Sequence, residues 1–382
     1  FVSLLMDSSS ELVHALLPLF LVGTLGASVA LVGLIEGVAE SAAMFAKVVS
    51  GYLSDRQRRR KPWVLAGYGL AAISKFAFPL AGSVGLVAAA RFADRVGKGI
   101  RGAPRDALIA DITPSAVRGA AFGLRQALDS AGAVLGPMLA IVAVTAFAGD
   151  VRLALWVAVI PAVLCVTLIV VGVEDRAAQG GTARKAIVVA DLRNLDRRFA
   201  VVCAIAALMT LARFSEAFLI LRAQSVGAGN SQAPLVMIAM SIAYTLLAFP
   251  AGRWVDRGGA KASLYVGCAA LFAAHVVLAN ASTLAGVAVG ASLWGVHMAF
   301  TQGLFAAWVA GVVPAELRGS AFGVFNLASG VALLVASVLA GLLWDRVSPA
   351  ATFYAGAALI ALCAAALTAM DLRGHGLATR AK

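Results

Sequence analysis

Apolar residues along this chain come in long blocks separated by short polar connections. A helix that crosses a bilayer needs about 20 mostly apolar residues. Twelve blocks meet that length: 2–22, 27–49, 63–82, 84–111, 119–147, 151–172, 199–224, 231–254, 261–280, 282–312, 319–344 and 348–371. The pattern therefore predicts an all-α membrane protein with 12 transmembrane helices. One connection is longer than the rest, the charged and glycine-bearing stretch VEDRAAQGGTARKAIVVADLRNLDRR at 173–198. It divides the chain into a first six-helix bundle, 1–172, and a second, 199–382, which ends in a short polar tail.

The fourth block departs from the apolar rule. Between Arg91 and Asp111 it carries Arg91, Asp94, Arg95, Lys98, Arg101, Arg105, Asp106 and Asp111. On a helix, Arg91, Arg95, Lys98 and Arg105 fall on one stripe, and Asp94, Lys98, Arg101 and Arg105 on an overlapping one. Charges at membrane depth are costly and face a bundle interior or a water-filled cavity. The deeper part of the stripe has four bases against one acid, so acids from other helices are expected to offset it. Span 1 offers Asp7, Glu11 and His14 at helical spacing, and span 2 offers Glu36 and Glu40 on one face with Lys47 beyond them. Span 5 adds Arg125 and Asp129. The second half is nearly bare, with Arg213, Glu216 and Arg222 in span 7 and His297 and Gln302 in span 10. His275 and His375 read as incidental.

Composition agrees with a lipid environment. Of the 382 residues 61% are hydrophobic, and the mean hydropathy is +0.92; soluble domains lie nearer 45–50% apolar by a comparable count. A net charge of +12 on a soluble protein would suggest nucleic acid. Here the basic residues collect in alternate connections: Arg56, Arg58, Arg59, Arg60 and Lys61; Arg176, Arg184, Lys185, Arg193, Arg197 and Arg198; Arg257 and Lys261; and the tail residues Arg373, Arg380 and Lys382. Cytoplasmic loops gather Lys and Arg in this way, which sets both termini in the cytoplasm and leaves no role for nucleic acid. The four cysteines lie singly in apolar runs and read as small core residues. The sequence has no CxxC, HExxH or Walker-type loop, so no enzyme, cofactor or resident metal is expected. The sequence opens on Phe1 rather than Met, and further residues are expected ahead of it.

The two halves repeat. PSAVRGAAFGL at Pro114 matches PAELRGSAFGV at Pro314, an offset of 200, and GYLSDR at Gly51 matches GRWVDR at Gly252, an offset of 201. Two-half architecture with an internal repeat is typical of secondary transporters that rock around a central site. Three motifs then carry a family resemblance. GYLSDRQRRRKP between spans 2 and 3 is similar to a G-x-x-x-D-R-x-G-R-R pattern, with Arg58 in place of its glycine. Arg91, Gly97 and Gly99 follow an R-x-x-x-x-x-G-x-G pattern. Gly123, Gly132, Gly136 and Pro137 in span 5 resemble an antiporter signature whose closing glycine pair is here Ala140 and Ile141. With these motifs the whole chain resembles the major facilitator superfamily, and within it the bacterial drug/proton antiporter-like branch.

The resemblance implies alternating access in a bacterial-type cytoplasmic (inner) membrane by a multi-pass, monomeric protein. It implies a conformational latch of Gly51, Asp55, Arg59 and Asp111 docking on span 11, and a gating helix at Gly132, Gly136 and Pro137. The partners expected are the bilayer, a small-molecule substrate and protons. A carboxylate beside a mobile arginine can be ionised in one state and protonated in the other, as proton coupling requires. Asp7, Glu11, Glu36 and Asp129 are the candidates, with Arg91 as switch partner; His14, Asp94, Arg95, Lys98, Arg101, Arg213 and Glu216 complete the proton-coupling and substrate set. Proton-coupled efflux of a small organic molecule is the leading expectation. Two alternatives stand beside it: an anionic solute gripped by the span-4 bases, and a divalent transition metal held by Asp7, Glu11 and His14.

Overall fold

The computed structural model describes residues 1–57, 60–114, 117–173, 197–314 and 317–372. These residues form helices and, among themselves, no strand. The first α-helical segments are α1 (Val2–Leu19), continued by a wider π-type turn Phe20–Thr24, α2 (Val29–Gln57), α3 (Lys61–Leu80), α4 (Val84–Ile112) and α5 (Arg118–Ala146). Next come the short α6 (Val151–Ala154), a 3-10 turn Leu155–Ala158 and α7 (Val159–Gly172). After the long connection follow α8 (Arg197–Ala212), α9 (Ala217–Ser225), α10 (Leu235–Trp254), α11 (Ala260–Asn280), α12 (Leu284–Val312), α13 (Arg318–Arg346) and α14 (Pro349–Leu372).

Among the described residues, ten stretches are long and apolar enough to cross a membrane. One of them, Leu235–Asn280, runs through α10 and α11. Helix α4 has the length to cross but is too rich in charge to count as an apolar stretch. The packing is inverted relative to a soluble protein. Val171 and Phe249 are 82% and 72% exposed, whereas Lys75, Arg91 and Asp94 are 0% exposed. An apolar exterior around a charged interior suits a protein whose outer solvent is lipid.

The chain forms two compact units: residues Phe1–Ser28, Val38–Ala186 and Gly229–Pro234 in the first, and Val29–Gly37, Ile187–Ala228 and Leu235–Lys382 in the second. In the first unit α1 packs on α5 and α7, and α3 packs on α4. The core between them holds Met6, Tyr68, Ala71, Leu108, Cys165 and Ile169. In the second, α12 packs on α10 and α11, and α14 on α8 and α11.

The 200-residue repeat is visible in each unit's helices. Ser83 caps α4 by accepting a hydrogen bond from the Leu86 amide, and Thr283 caps α12 by accepting one from the Gly286 amide. Such caps satisfy amides that have no partner within the helix. Arg152 at α6 donates to the carbonyls of Pro79 and Ala81 at the C-terminal end of α3. At the corresponding end of α11 the carbonyls of Leu278, Ala279 and Ala281 accept from Arg222 of α9, an arginine that is not the repeat counterpart of Arg152. A guanidinium at a helix C-terminus neutralises the carbonyls left over there. Arg222, singled out in the sequence as one of few second-half charges, is thus structural.

Candidate functional site

The α4 stripe is buried in the first unit and divides into two networks. The glycines of its motif make this possible. A side chain at Gly97 would stand 2.7 Å from the Gly67 carbonyl of α3, and one at Gly99 would collide with the Ala43 carbonyl of α2. Glycine at both positions lets α4 lie against two neighbours at once, which carries the arginines inside.

The first network centres on Asp94. Its carboxylate receives Lys75 Nζ at 2.6 Å, Arg95 Nη2 at 2.9 Å and Nε at 3.1 Å, and faces Arg91 Nη1 at 3.6 Å. Lys75 also donates to Ser10 Oγ at 3.2 Å. Arg95 turns its other nitrogen, Nη1, to Glu40 at 3.1 Å, and Arg91 Nη2 lies 3.9 Å from the same carboxylate. Asp94 is sealed, but the Glu40 side chain keeps 24% exposure, and Lys98, within electrostatic reach of it, is exposed. Arg91 Nη2 is also 3.2 Å from His14 Nδ1. A guanidinium has only donors, so His14 accepts at Nδ1 and carries its proton on Nε2. Protonating Nδ1 would require Arg91 to leave.

The second network lies two turns further along α4. Arg101 Nη2 sits 3.5 Å from Asp7 of α1, with its guanidinium over the Tyr68 ring of α3 at 4.6 Å. Arg105 pairs with Asp106 at 3.1 Å and reaches Asp129 of α5 at 3.9 Å, while Arg125 joins Asp106 at 3.4 Å and Asp129 at 3.1 Å. The Asp7 and Asp129 carboxyls are neighbours, placed for a hydrogen bond when one of them holds a proton. A cavity of about 670 Å³ opens beside this network, with Ser3, Tyr68, Arg105 and Arg125 in its wall among apolar residues such as Leu108 and Ile169.

The structure therefore joins Asp7, His14, Arg91, Asp94, Arg95, Arg101 and Asp129 in networks. Glu11 lies on α1 against Gly136 of α5. Glu36 is buried in the Val29–Gly37 segment of the second unit, apart from the Glu40 with which it shares a helix face. In the latch motif, Gly51 packs on Ala103 of α4, and Asp111 pairs with Arg60 at 3.5 Å. Arg59 and the Asp55 side chain lie outside the described residues. Gly132, Gly136 and Pro137 are buried within a continuous α5. Asp7 and His14, two members of the alternative metal set, are engaged by Arg101 and Arg91, and no cluster of three His, Cys, Asp or Glu occurs among the described residues.

Two residues were missed by the sequence reading. Lys75, a single lysine in the apolar run ISKFAF, is the shortest contact to Asp94; its isolation was the available signal. His275, read as incidental, is fully buried, and its Nε2 donates to the Ala212 carbonyl at 2.9 Å where the seventh span is interrupted. That interruption, Arg213–Glu216, separates α8 from α9 and holds both second-unit candidates, Arg213 and Glu216.

Comparison with known proteins adds the following. The family described as the Major Facilitator Superfamily matches residues 1–220 and 199–376. An uncharacterized MFS-type transporter of Methanocaldococcus jannaschii is 31% identical over 94% of this chain and 90% of its own length. An uncharacterized protein of Mycobacterium tuberculosis is 29% identical over 85% of this chain and 80% of its own. Among solved structures, the nucleoside transporter NupG superposes with a TM-score of 0.78 at 16% identity, covering 97% of each chain. A D-xylose-proton symporter does so with 0.70 at 17% identity, covering 95% of this chain and 94% of its own. At these identities the structural likeness speaks for the fold.

Proposed function

Because the chain belongs to the Major Facilitator Superfamily, a family of membrane transporters, we propose that it is a proton-coupled secondary transporter that exports a small organic solute by antiport. The observation that carries the proposal is the sharing of two arginines. Arg91 and Arg95 are divided between Asp94, which is sealed among three cations, and two groups able to accept a proton, Glu40 and His14. When Glu40 or His14 takes a proton, its hold on its arginine weakens, and the balance shifts toward Asp94. An element with two sets of partners is what alternating access needs. Glu40 is the better gate of the two acids because water reaches it. Asp7 and Asp129 form a second acidic pair, with Arg101, Arg105 and Arg125 as their cations. Of the alternatives, the metal reading is disfavoured, since two of its three ligands, Asp7 and His14, are engaged by Arg101 and Arg91.

The same reading assigns twelve crossings. Ten candidate stretches become eleven when Leu235–Asn280 is taken as two helices, and α4 supplies the twelfth. An even number keeps both termini on one side, and the basic connections favour the cytoplasm. Two bundles, 1–172 and 199–382, joined through 173–198, a monomer and an inner membrane of bacterial type complete the proposal.

The test is a vesicle assay. Purified protein is reconstituted around a pH-sensitive dye, a panel of small organic solutes is added, and an inward proton gradient is imposed. A transported solute is expected to move internal pH in the wild type. Glu40→Gln is expected to lose that proton movement while retaining solute exchange between the two sides. Solute flux that ignores the gradient would sink the proton-coupled reading.

A further inference from the structure

The seventh span is interrupted close to its middle. The stretch Phe199–Ser225 is long and apolar enough to cross a membrane, yet Arg213, Phe214, Ser215 and Glu216 are non-helical. Neither proline nor glycine occupies the interruption, so its cause is tertiary. Phe214 is drawn into an aromatic cluster, its ring centroid 5.1 Å from Phe218 and 5.5 Å from each of His275, Trp294 and Phe353. The backbone groups released by the break are taken up by dedicated partners. His275 Nε2–H of α11 donates to the Ala212 carbonyl at 2.9 Å, and the Ser215 amide donates to Ser337 Oγ of α13 at 3.2 Å. Both partners are fully buried. Space is reserved for the imidazole, because a side chain at Gly356 of α14 would collide with the ring. Non-helical backbone at membrane depth is tolerated where it lines a cavity or is held by protein, and broken helices mark solute sites in transporters.

The interruption also carries one charge of each sign. Arg213 and Glu216 are both partly exposed, and among the described residues neither is ion-paired, with the other or with any third group. Tyr244 of α10 and His297 of α12 lie within electrostatic reach of Arg213, and neither carries a negative charge at neutral pH. An unpaired cation and an unpaired anion three residues apart, at membrane depth, are expensive unless a ligand completes them. We propose that the interruption is a binding station for a small zwitterionic solute. Arg213 takes the solute's carboxylate or other oxyanion, Glu216 takes its ammonium group, and His275 and Ser337 are positioning residues that hold the broken backbone in shape. The proposal rests on the transporter reading and narrows its solute class; it does not depend on proton coupling.

The experiment uses purified full-length protein in lipid nanodiscs. It reads the fluorescence of Trp294 and Trp344, which belong to the cluster around Phe214 and Phe218. Four probes are titrated: phenylalanine and glycylglycine, which carry both charges, and phenethylamine and phenylpropionate, which carry one each on a similar body. Saturable binding is expected for at least one zwitterion, about tenfold or more tighter than for either single-charge probe. Arg213→Gln should bring zwitterion affinity down to that of phenethylamine, and Glu216→Gln to that of phenylpropionate. His275→Phe should lose binding, and His275→Gln, which can still donate to the Ala212 carbonyl, should recover it. Equal binding of a single-charge probe by the wild type overturns the proposal. So does unchanged zwitterion affinity in both charge variants, or no saturable signal with either zwitterion. Vesicles whose solute flux ignores a proton gradient, together with zwitterion-selective binding here, would refute antiport and leave the station standing.

Discussion

Asp94→Asn is expected to be the most damaging single replacement among the charged residues, destabilising the protein by about 3–5 kcal/mol. Asparagine keeps the volume and loses the charge, leaving Lys75, Arg91 and Arg95 crowded around a neutral amide in a site closed to water. Removing one partner of a buried ionic set costs more than the set's net contribution, because the remaining charges have no solvent to turn to. Glu40→Gln should cost much less, since the Glu40 side chain is only partly buried and Arg95 keeps Asp94. Lys75→Met should be intermediate, because Asp94 retains two guanidinium partners. In the double variant Lys75→Met/Asp94→Asn the losses should fall short of additive, one stranded cation having been removed. The free cysteines give a direct readout. Cys165, Cys268 and Cys363 are buried, so a thiol-reactive dye reports their exposure during thermal unfolding. An Asp94→Asn midpoint no lower than that of Glu40→Gln would refute this account of the network.

The α4 network was legible in outline because its signal is compositional: charge in a membrane-length block must be answered by charge elsewhere. That argument forced acids from α1, α2 and α5 into the picture, and Asp7, Glu40 and Asp129 do answer the α4 bases. What it could not supply was pairing. Glu36 and Glu40 are one helical turn apart with the same side chain, and only packing decides that Glu40 meets Arg95 while Glu36 belongs to the second unit. Lys75 escaped because a lone lysine in an apolar run resembles a residue reaching for an interface, and its partner lies 19 positions away in another helix.

The second unit was less legible for a different reason. The stretch LARFSEAF has no breaker residue, and helix propensity would carry it through. The break comes from Phe214 entering an aromatic cluster and from His275 donating to the Ala212 carbonyl while Ser337 accepts from the Ser215 amide, with contacts to other helices that span 61 to 139 positions of sequence. The 200-residue repeat, in contrast, was fully readable and reappears in the equal 29-residue lengths of α4 and α12 and of α5 and α13. Repetition of helix lengths survives divergence of the side chains; the buried charge network of α4, confined to the first half, does not follow it.

Gly136→Val and Gly123→Ala should move stability in opposite directions, although both replace a glycine of the same helix and the same motif. At Gly136 an added Cβ would stand 2.5 Å from Glu11 Cβ, and 2.8 Å from both the Leu12 amide nitrogen and the Ser8 carbonyl of α1. Two of those three obstacles are backbone atoms and cannot rotate away. Helix α1 must therefore shift, and overpacking of this kind costs about 1–3 kcal/mol or more. At Gly123 an added Cβ meets nothing within 4 Å, so alanine there should gain about 0.5–1 kcal/mol from reduced freedom of the unfolded chain. The functional consequence follows from where α1 would go. Asp7 lies against Gly132 one turn earlier, its Cβ 2.9 Å from where a side chain there would begin. Pushing α1 off α5 draws Asp7 away from Asp129 and changes its approach to Arg101. Gly136→Val should thus lower the thiol-dye unfolding midpoint and, in folded protein reconstituted at low temperature, weaken solute-driven proton movement. Gly123→Ala should raise the midpoint and leave proton movement intact. If the two variants unfold alike, close approach at Gly136 is not what seats α1 on α5, and the second network has some other support.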